Sequence, residues 1–233
     1  RGLTSFRSDE IEMTVAGKTS TAFDKAVADQ NAYLDIWRWN DLSPANTTIG
    51  FSWQRTYYVI FLANYTIESR NRITGGNAAE INQLVGEAYM LRAYMHFLLV
   101  NLYGEPYTAC DPATSKAIPL KFDTNTENVL SRNTVGEVYA SILSDIDEAE
   151  KLLNVETWEK GLTYRFNTLS VDALRSRVYL YMGEWEKSLA ASEALLARKN
   201  DLSDMRVGRP VLPNEYTSVE AIVSLEQVMT SSY

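Results

Sequence analysis

Apolar residues recur along this chain at helical spacing, in blocks separated by polar or glycine- and proline-containing stretches. Over residues 51–70, Trp53, Tyr57, Ile60 and Asn64 step by four, three and four positions, which aligns them on one face of a helix. Gly75-Gly76 interrupts the pattern. Asn77, followed three residues later by Glu80, has the form of a capping box and predicts a helix start. The helix over 78–103 is the most strongly patterned. Leu84, Ala88, Leu91, Met95, Leu98 and Leu102 make one apolar stripe, and Val85, Tyr89, Leu99 and Tyr103 make a second beside it. So wide an apolar arc predicts a central helix packed on two sides. Gly104 and Pro106 end it.

Residues 105–131 form a long connector carrying Pro106, Pro112 and Pro119. A connector of that length is either functional or an elaboration on a helical frame. Thr134 with Glu137 makes a second capping box. The helix after it aligns Val135, Val138, Ile142, Ile146, Ala149 and Leu152 on one face. Residues 169–182 and 185–198 predict a tight helical hairpin turning at Gly183-Glu184, with Val171, Leu174, Val178 and Tyr181 facing inward. The tail over 218–227, with Val219, Ile222 and Leu225, reads as a short strand or an extended arm. Antiparallel helices in pairs give an all-α, helical-hairpin array with long inserted loops, without a regular tetratricopeptide period.

Composition narrows the function classes. Of 233 residues, 45% are hydrophobic, enough for an ordinary core and incompatible with disorder of the whole chain. The net charge is −8, and no stretch concentrates Lys or Arg, so nucleic acid is not an expected partner. Cys110 is the only cysteine, which excludes an intramolecular disulfide and a cysteine-based zinc site. His96 is the only histidine, and no ligand set at metal spacing accompanies it, so neither metal nor cofactor is expected. The same scarcity argues against Ser-His-Asp and Cys-His nucleophile systems. The chain opens on Arg1-Gly2-Leu3 without an apolar leader, so its first residue is not expected to be the native start. The richest apolar run, residues 97–100, is far too short to span a bilayer.

Few residues invite a chemical role. Glu87 and Arg92 on the long helix fit ion pairing between elements better than catalysis. Asp145 and Asp147, two positions apart on one helix, point in different directions and make no acid–base pair. Gly75-Gly76 lacks the preceding strand and following Lys-Ser/Thr of a phosphate-cradling turn. The polar segment containing Trp37, Arg38, Trp39, Asn40 and Asp41 is more suggestive. Indole faces stack on the apolar faces of sugar rings while neighbouring amides, carboxylates and guanidiniums bond the hydroxyls. Burial of both rings against the first helical pair is the competing reading, and the residues alone leave it open. Trp158 and Tyr164, before the last hairpin, make a weaker second patch.

Five segments in fixed order resemble the SusD/RagB family. They are Trp53-x3-Tyr57-x2-Ile60-x2-Ala63-Asn64; Gly86-Glu87-Ala88-Tyr89-Met90-Leu91-Arg92-Ala93 running on to Tyr103-Gly104-x-Pro106; and Ile118-Pro119-Leu120 with the Thr134 helix. Ala173-Leu174-x2-Arg177-Val178-Tyr179-Leu180-Tyr181-x-Gly183-x-Trp185 and Ser218-Val219-Glu220-Ala221-Ile222 complete the set. Ser188 and Ser192 stand where tetratricopeptide helices usually carry Ala, and are small enough to pack. The resemblance implies a tetratricopeptide-like scaffold, with residues 1–233 as one helical domain from a longer chain. It implies a non-enzymatic protein, held at the outer membrane by a lipid anchor and facing the cell exterior, that captures a glycan or peptide-like nutrient for a TonB-dependent transporter. It also places the segment before the Trp53 helix on the ligand face, which favours Trp37, Arg38, Trp39, Asn40 and Asp41 as binding residues. A tetratricopeptide-like adaptor and an all-helical glycoside hydrolase are the alternatives, the latter requiring two convergent carboxylates that the sequence does not nominate.

Overall fold

The computed structural model describes residues 53–225 except 129, 160, 208–210 and 212–214. Trp37, Arg38, Trp39, Asn40 and Asp41 lie outside the described residues. Among the described residues, five α-helices follow in chain order: α1 (Trp53–Glu68), α2 (Ala78–Tyr103), α3 (Val135–Leu152), α4 (Thr168–Met182) and α5 (Trp185–Leu196). Short 3-10 turns occur at Arg70–Arg72 and Tyr107–Ala109. The chain is all-α among its described residues, and the closest helix packing is α2 on α3 and α4 on α5.

The helix starts follow from local side-chain chemistry. At α2 the Asn77 side chain accepts from the backbone N–H groups of Ala79 and Glu80, while the Glu80 carboxylate accepts from Asn77 N at 2.8 Å. Thr134 and Glu137 make the same reciprocal box at α3. A third box, formed by Asn167 and Ser170, opens α4 without the glutamate that marks the other two. The α4–α5 turn depends on Gly183, whose φ of 75° lies in the left-handed region where a Cβ is penalised. Between the two helices, the Ser176 hydroxyl meets Ser188 O at 3.0 Å and Ser192 Oγ at 2.6 Å. The two serines of α5 therefore do pack, through hydrogen bonds at the crossing.

The core sits between α2 and α3. On α3, Val135, Val138, Ile142, Ile146 and Ala149 are buried as the periodicity predicts. On α2 the buried arc matches the expected stripes only at Val85, Ala88 and Leu99. Met90, Ala93, Phe97 and Val100 carry it together with Val85 and Leu99, whereas Leu84 is 43% exposed and Leu102 38%. The reason is that α2 is apolar almost all round, so periodicity does not single out one arc. Polar Gln83, Arg92 and His96 take interior positions instead. Gly86 adds to this: a Cβ there would stand 3.0 Å from the Leu153 side chain, so the missing methyl lets the end of α3 close on α2. Tyr181 also departs from expectation, being half exposed with its ring edge-on to Phe97 at 5.0 Å.

The long connector is strapped down along its length. Lys116 and Thr134 form an isolated antiparallel bridge. Ala117 N donates to Asn133 O at 2.8 Å, and Asn133 N donates to Ile118 O at 3.0 Å. Beyond it the Tyr57 hydroxyl donates to Pro119 O at 2.7 Å, and the Asn64 amide donates to the carbonyls of Lys121 and Asp123, each at 3.1 Å. These contacts make it an elaboration that ties α1 to α3. The tail up to Leu225 is turns and irregular chain, not a strand; Ser224 N donates to Thr163 O at 2.9 Å and the Asn167 amide to Ile222 O at 3.0 Å.

Candidate functional site

The most polar interior assembly is centred on Arg92. Its guanidinium binds Asp145 through two hydrogen bonds of 2.6 and 2.8 Å, and donates a third, of 2.8 Å, to Asn64 Oδ1. The rings of Tyr89 and Phe122 each lie 5.1 Å from the guanidinium carbon. Burial pushes the Asp145 carboxyl above the usual carboxylate range, with the Arg92 hydrogen bonds opposing. This buried pair joins α1, α2 and α3 and leaves no reactive group open to solvent. It is the ion pair between elements that the sequence suggested for Arg92. Asp147 turns the other way, to Arg175 at 3.1 Å, so the two aspartates do not converge.

His96 lies beside this assembly, fully buried, with neither ring nitrogen hydrogen-bonded. Its ring meets Phe122 edge-on at 6.1 Å. Burial, and after it the charge of Arg92, lowers its pKa to about 3, so it is neutral at physiological pH. It is a packed histidine.

Glu87, by contrast, borders open space. A cleft of about 460 Å³ lies between α1, α2 and the segment before α4, with Leu62, Ala63, Leu84, Leu91, Tyr164 and Leu225 among its lining residues. Glu87 and Arg165 contribute the charged wall, and they neutralise one another through bonds of 2.7 and 3.1 Å. The Arg165 guanidinium also lies 3.9 Å above the Trp158 ring centroid. Trp158 is held in turn by its indole N–H, which donates to Phe166 O at 3.0 Å. Gln83 completes the support, donating to the same carbonyl at 3.1 Å and accepting from the backbone N–H groups of Asn154 and Val155.

The second aromatic patch therefore divides by role. Tyr164 is exposed and lines the cleft, whereas Trp158 is a half-buried plate beneath Arg165. Leu62 and Leu225 carry no cleft signal in the sequence, because only the fold brings them to the same cleft as Leu84. Apolar walls with one neutralised ion pair suit an uncharged ligand that presents an apolar face and hydroxyls. Glu87, the one carboxylate among the described lining residues, is held by Arg165.

Comparison with known proteins agrees with the helical scaffold. The SusD-like protein P38 of Formosa agariphila is 34% identical over 158 residues, a match that covers 68% of this chain and 28% of that protein. SusD-like protein P2 of the same organism is 26% identical over 81% of this chain and 34% of its own length. A crystal structure of a SusD superfamily protein from Bacteroides thetaiotaomicron superposes with a TM-score of 0.64 at 30% identity, covering 72% of this chain and 37% of that one. The chain thus spans about a third of the length of these relatives. The SusD superfamily scaffold is the tetratricopeptide-like helical array expected from the sequence. Residues 4–180 match the SusD-like family described as starch-binding and associating with the outer membrane, and the chain belongs to that family.

Proposed function

We propose that this chain is part of a cell-surface protein that captures glycan and passes it, without chemical change, to a TonB-dependent outer-membrane transporter. The observation that carries the reading is the family match over residues 4–180, whose description joins starch binding to the outer membrane. The cleft beside Tyr164 supports it, since its apolar walls and neutralised charges suit sugar better than an ionic ligand. In this reading Trp37 and Trp39 stack on sugar rings, and Arg38, Asn40 and Asp41 bond the hydroxyls. No described helix is long and apolar enough to cross a membrane, and attachment is by a lipid anchor on the longer polypeptide.

The test is a titration of the full-length protein with a panel of neutral oligosaccharides, starch and β-glucan fragments included, followed by tryptophan fluorescence and calorimetry. Saturable binding with the sugars recovered intact is the expected result. Absence of binding across the panel would overturn glycan capture. Sugar release abolished by one Asp or Glu substitution would overturn the non-catalytic reading. Co-purification with a transporter from detergent-solubilised outer membranes checks the final step.

A further inference from the structure

His96 is fully buried, and neither of its ring nitrogens has a hydrogen-bond partner, so an imidazolium in the same place would hold two N–H donors without acceptors. Arg92, one turn earlier on α2, acts on the ring with its positive charge, and the Asp145 carboxylate of α3 is already committed to Arg92. A proton on His96 would therefore add a second buried cation to the one that Asp145 balances. On the connector side the cover is Phe122, which meets the imidazole edge-on at 6.1 Å, lies 5.1 Å from the Arg92 guanidinium, and is itself 49% exposed. Residues 121–124 are held down by side chains of α1. The Asn64 amide bonds the Lys121 and Asp123 carbonyls, each at 3.1 Å. The Glu68 carboxylate takes the Thr124 N–H at 3.0 Å and the Thr124 hydroxyl at 2.8 Å. Lys121 and Asp123, either side of Phe122 in the chain, pair with one another. Upstream, Ile118 is tied through backbone to Asn133, and α2 packs closely on α3. Releasing the segment around Phe122 thus uncovers His96 without parting the helices.

We propose that residues 121–125 are an acid-released strap: the segment lifts Phe122 away when the His96 imidazole takes a proton from solvent, so that water reaches the ring while the helices stay folded. Closed, the ring has its pKa lowered to about 3, by burial first and by Arg92 second; in contact with water it regains the ordinary value of 6.5. The closed strap is therefore fully favoured above pH 6.5 and loses favour as pH falls from 6.5 towards 3. Between pH 7 and pH 4.5 the opening equilibrium shifts about a hundredfold on those values. The device is independent of what ligand the protein binds.

Amide hydrogen exchange on the full-length protein, corrected for the pH dependence of the intrinsic rate, tests it. From pH 7 to pH 4.5, protection of residues 121–125, with the Thr124 amide as reporter, should fall by at least about tenfold. Protection along the buried face of α3, at Val138, Ile142 and Ile146, should hold over the same range. In His96→Phe the fall at the strap should shrink to under about threefold. The carboxylates of Glu68, Asp123 and Asp145 are common to both proteins, so the difference between them reports the imidazole. Strap protection independent of pH in the native protein would overturn the proposal, whether or not His96→Phe folds. Loss of protection at the strap and along α3 together would overturn it as well, since that is unfolding of the whole domain. An equal fall in native protein and folded His96→Phe would assign the release to the carboxylates and sink the idea. Glu68→Gln, at an exposed position, supplies the second variant: the fall should persist in it, and its disappearance there would make Glu68 the trigger in place of His96.

Discussion

Arg92 and His96 sit one helical turn apart on α2, and both are buried, but they respond to perturbation in opposite ways. Arg92 has its hydrogen bonds met by Asp145 and Asn64, so its removal strands a carboxylate in the interior. Arg92→Met should therefore cost about 3–5 kcal/mol in chemical denaturation. The double change Arg92→Met with Asp145→Leu should recover much of that loss, because it removes both charges together. His96 is buried neutral, so acid acts against it. Its folded pKa of about 3 lies below the ordinary value of 6.5, and the unfolded chain binds the proton more readily. Between those two values stability rises with pH, by up to about 1.4 kcal/mol for each unit of pKa difference. The stability of the native protein relative to His96→Phe should fall steadily from pH 6.5 towards pH 3 and be flat above pH 7. Denaturant titrations across that range measure the difference, and a pH-independent gap would contradict the buried neutral ring.

At the scale of elements, three glycines that look alike in sequence carry different demands. Gly183 holds a φ of 75° at the α4–α5 turn, and a Cβ there would also meet Thr108 at 3.1 Å. Gly183→Ala should cost about 1–2 kcal/mol, the penalty for an L side chain in the left-handed region. Gly86 is helical, but its Cβ would stand 3.0 Å from Leu153, so Gly86→Ala should cost about 1–3 kcal/mol by pushing α3 off α2. Gly75 has nothing within 4 Å, and alanine there should be close to neutral. Denaturation midpoints for the three variants rank them directly. The capping boxes belong to the same scale. Asn77 and Thr134 announce themselves by the glutamate three residues on, whereas Asn167 is completed by Ser170 and is less conspicuous.

For the whole molecule, the question is which aromatic residues serve ligand and which serve the fold. Tyr164 stands at the cleft with its ring exposed, so Tyr164→Ala should weaken oligosaccharide binding several-fold while shifting the melting temperature by less than about 2 °C. Trp158→Ala should do the reverse, since that ring supports Arg165 and bonds the Phe166 carbonyl. For Trp37 and Trp39 the binding reading predicts a loss of about 1–3 kcal/mol in affinity on replacement by alanine. A loss of about 3–5 kcal/mol in stability with affinity per folded molecule unchanged would identify them as core residues instead. Calorimetry and thermal melts on the same full-length variants separate the outcomes.

The sequence by itself determined what depends on neighbours within about one helical turn: where α2 and α3 begin, that α4 and α5 form a hairpin at Gly183, and that α3 buries a single face. Those features rest on caps and on a 3.6-residue period, both local properties. The family motifs were legible for a related reason, being runs of consecutive residues on these helices. Tertiary structure alone decided which arc of the nearly all-apolar α2 faces inward, because its local pattern favours no side and its partners choose. It alone joined Arg92 to Asp145, 53 residues away, and Arg165 to Glu87, 78 away, since either arginine has several carboxylates of equal chemistry to select from. It likewise made the cleft, whose lining comes from α1, α2, the segment before α4 and the tail at Leu225. A cavity is a gap between elements, and no one stretch of sequence encodes the distance between two helices.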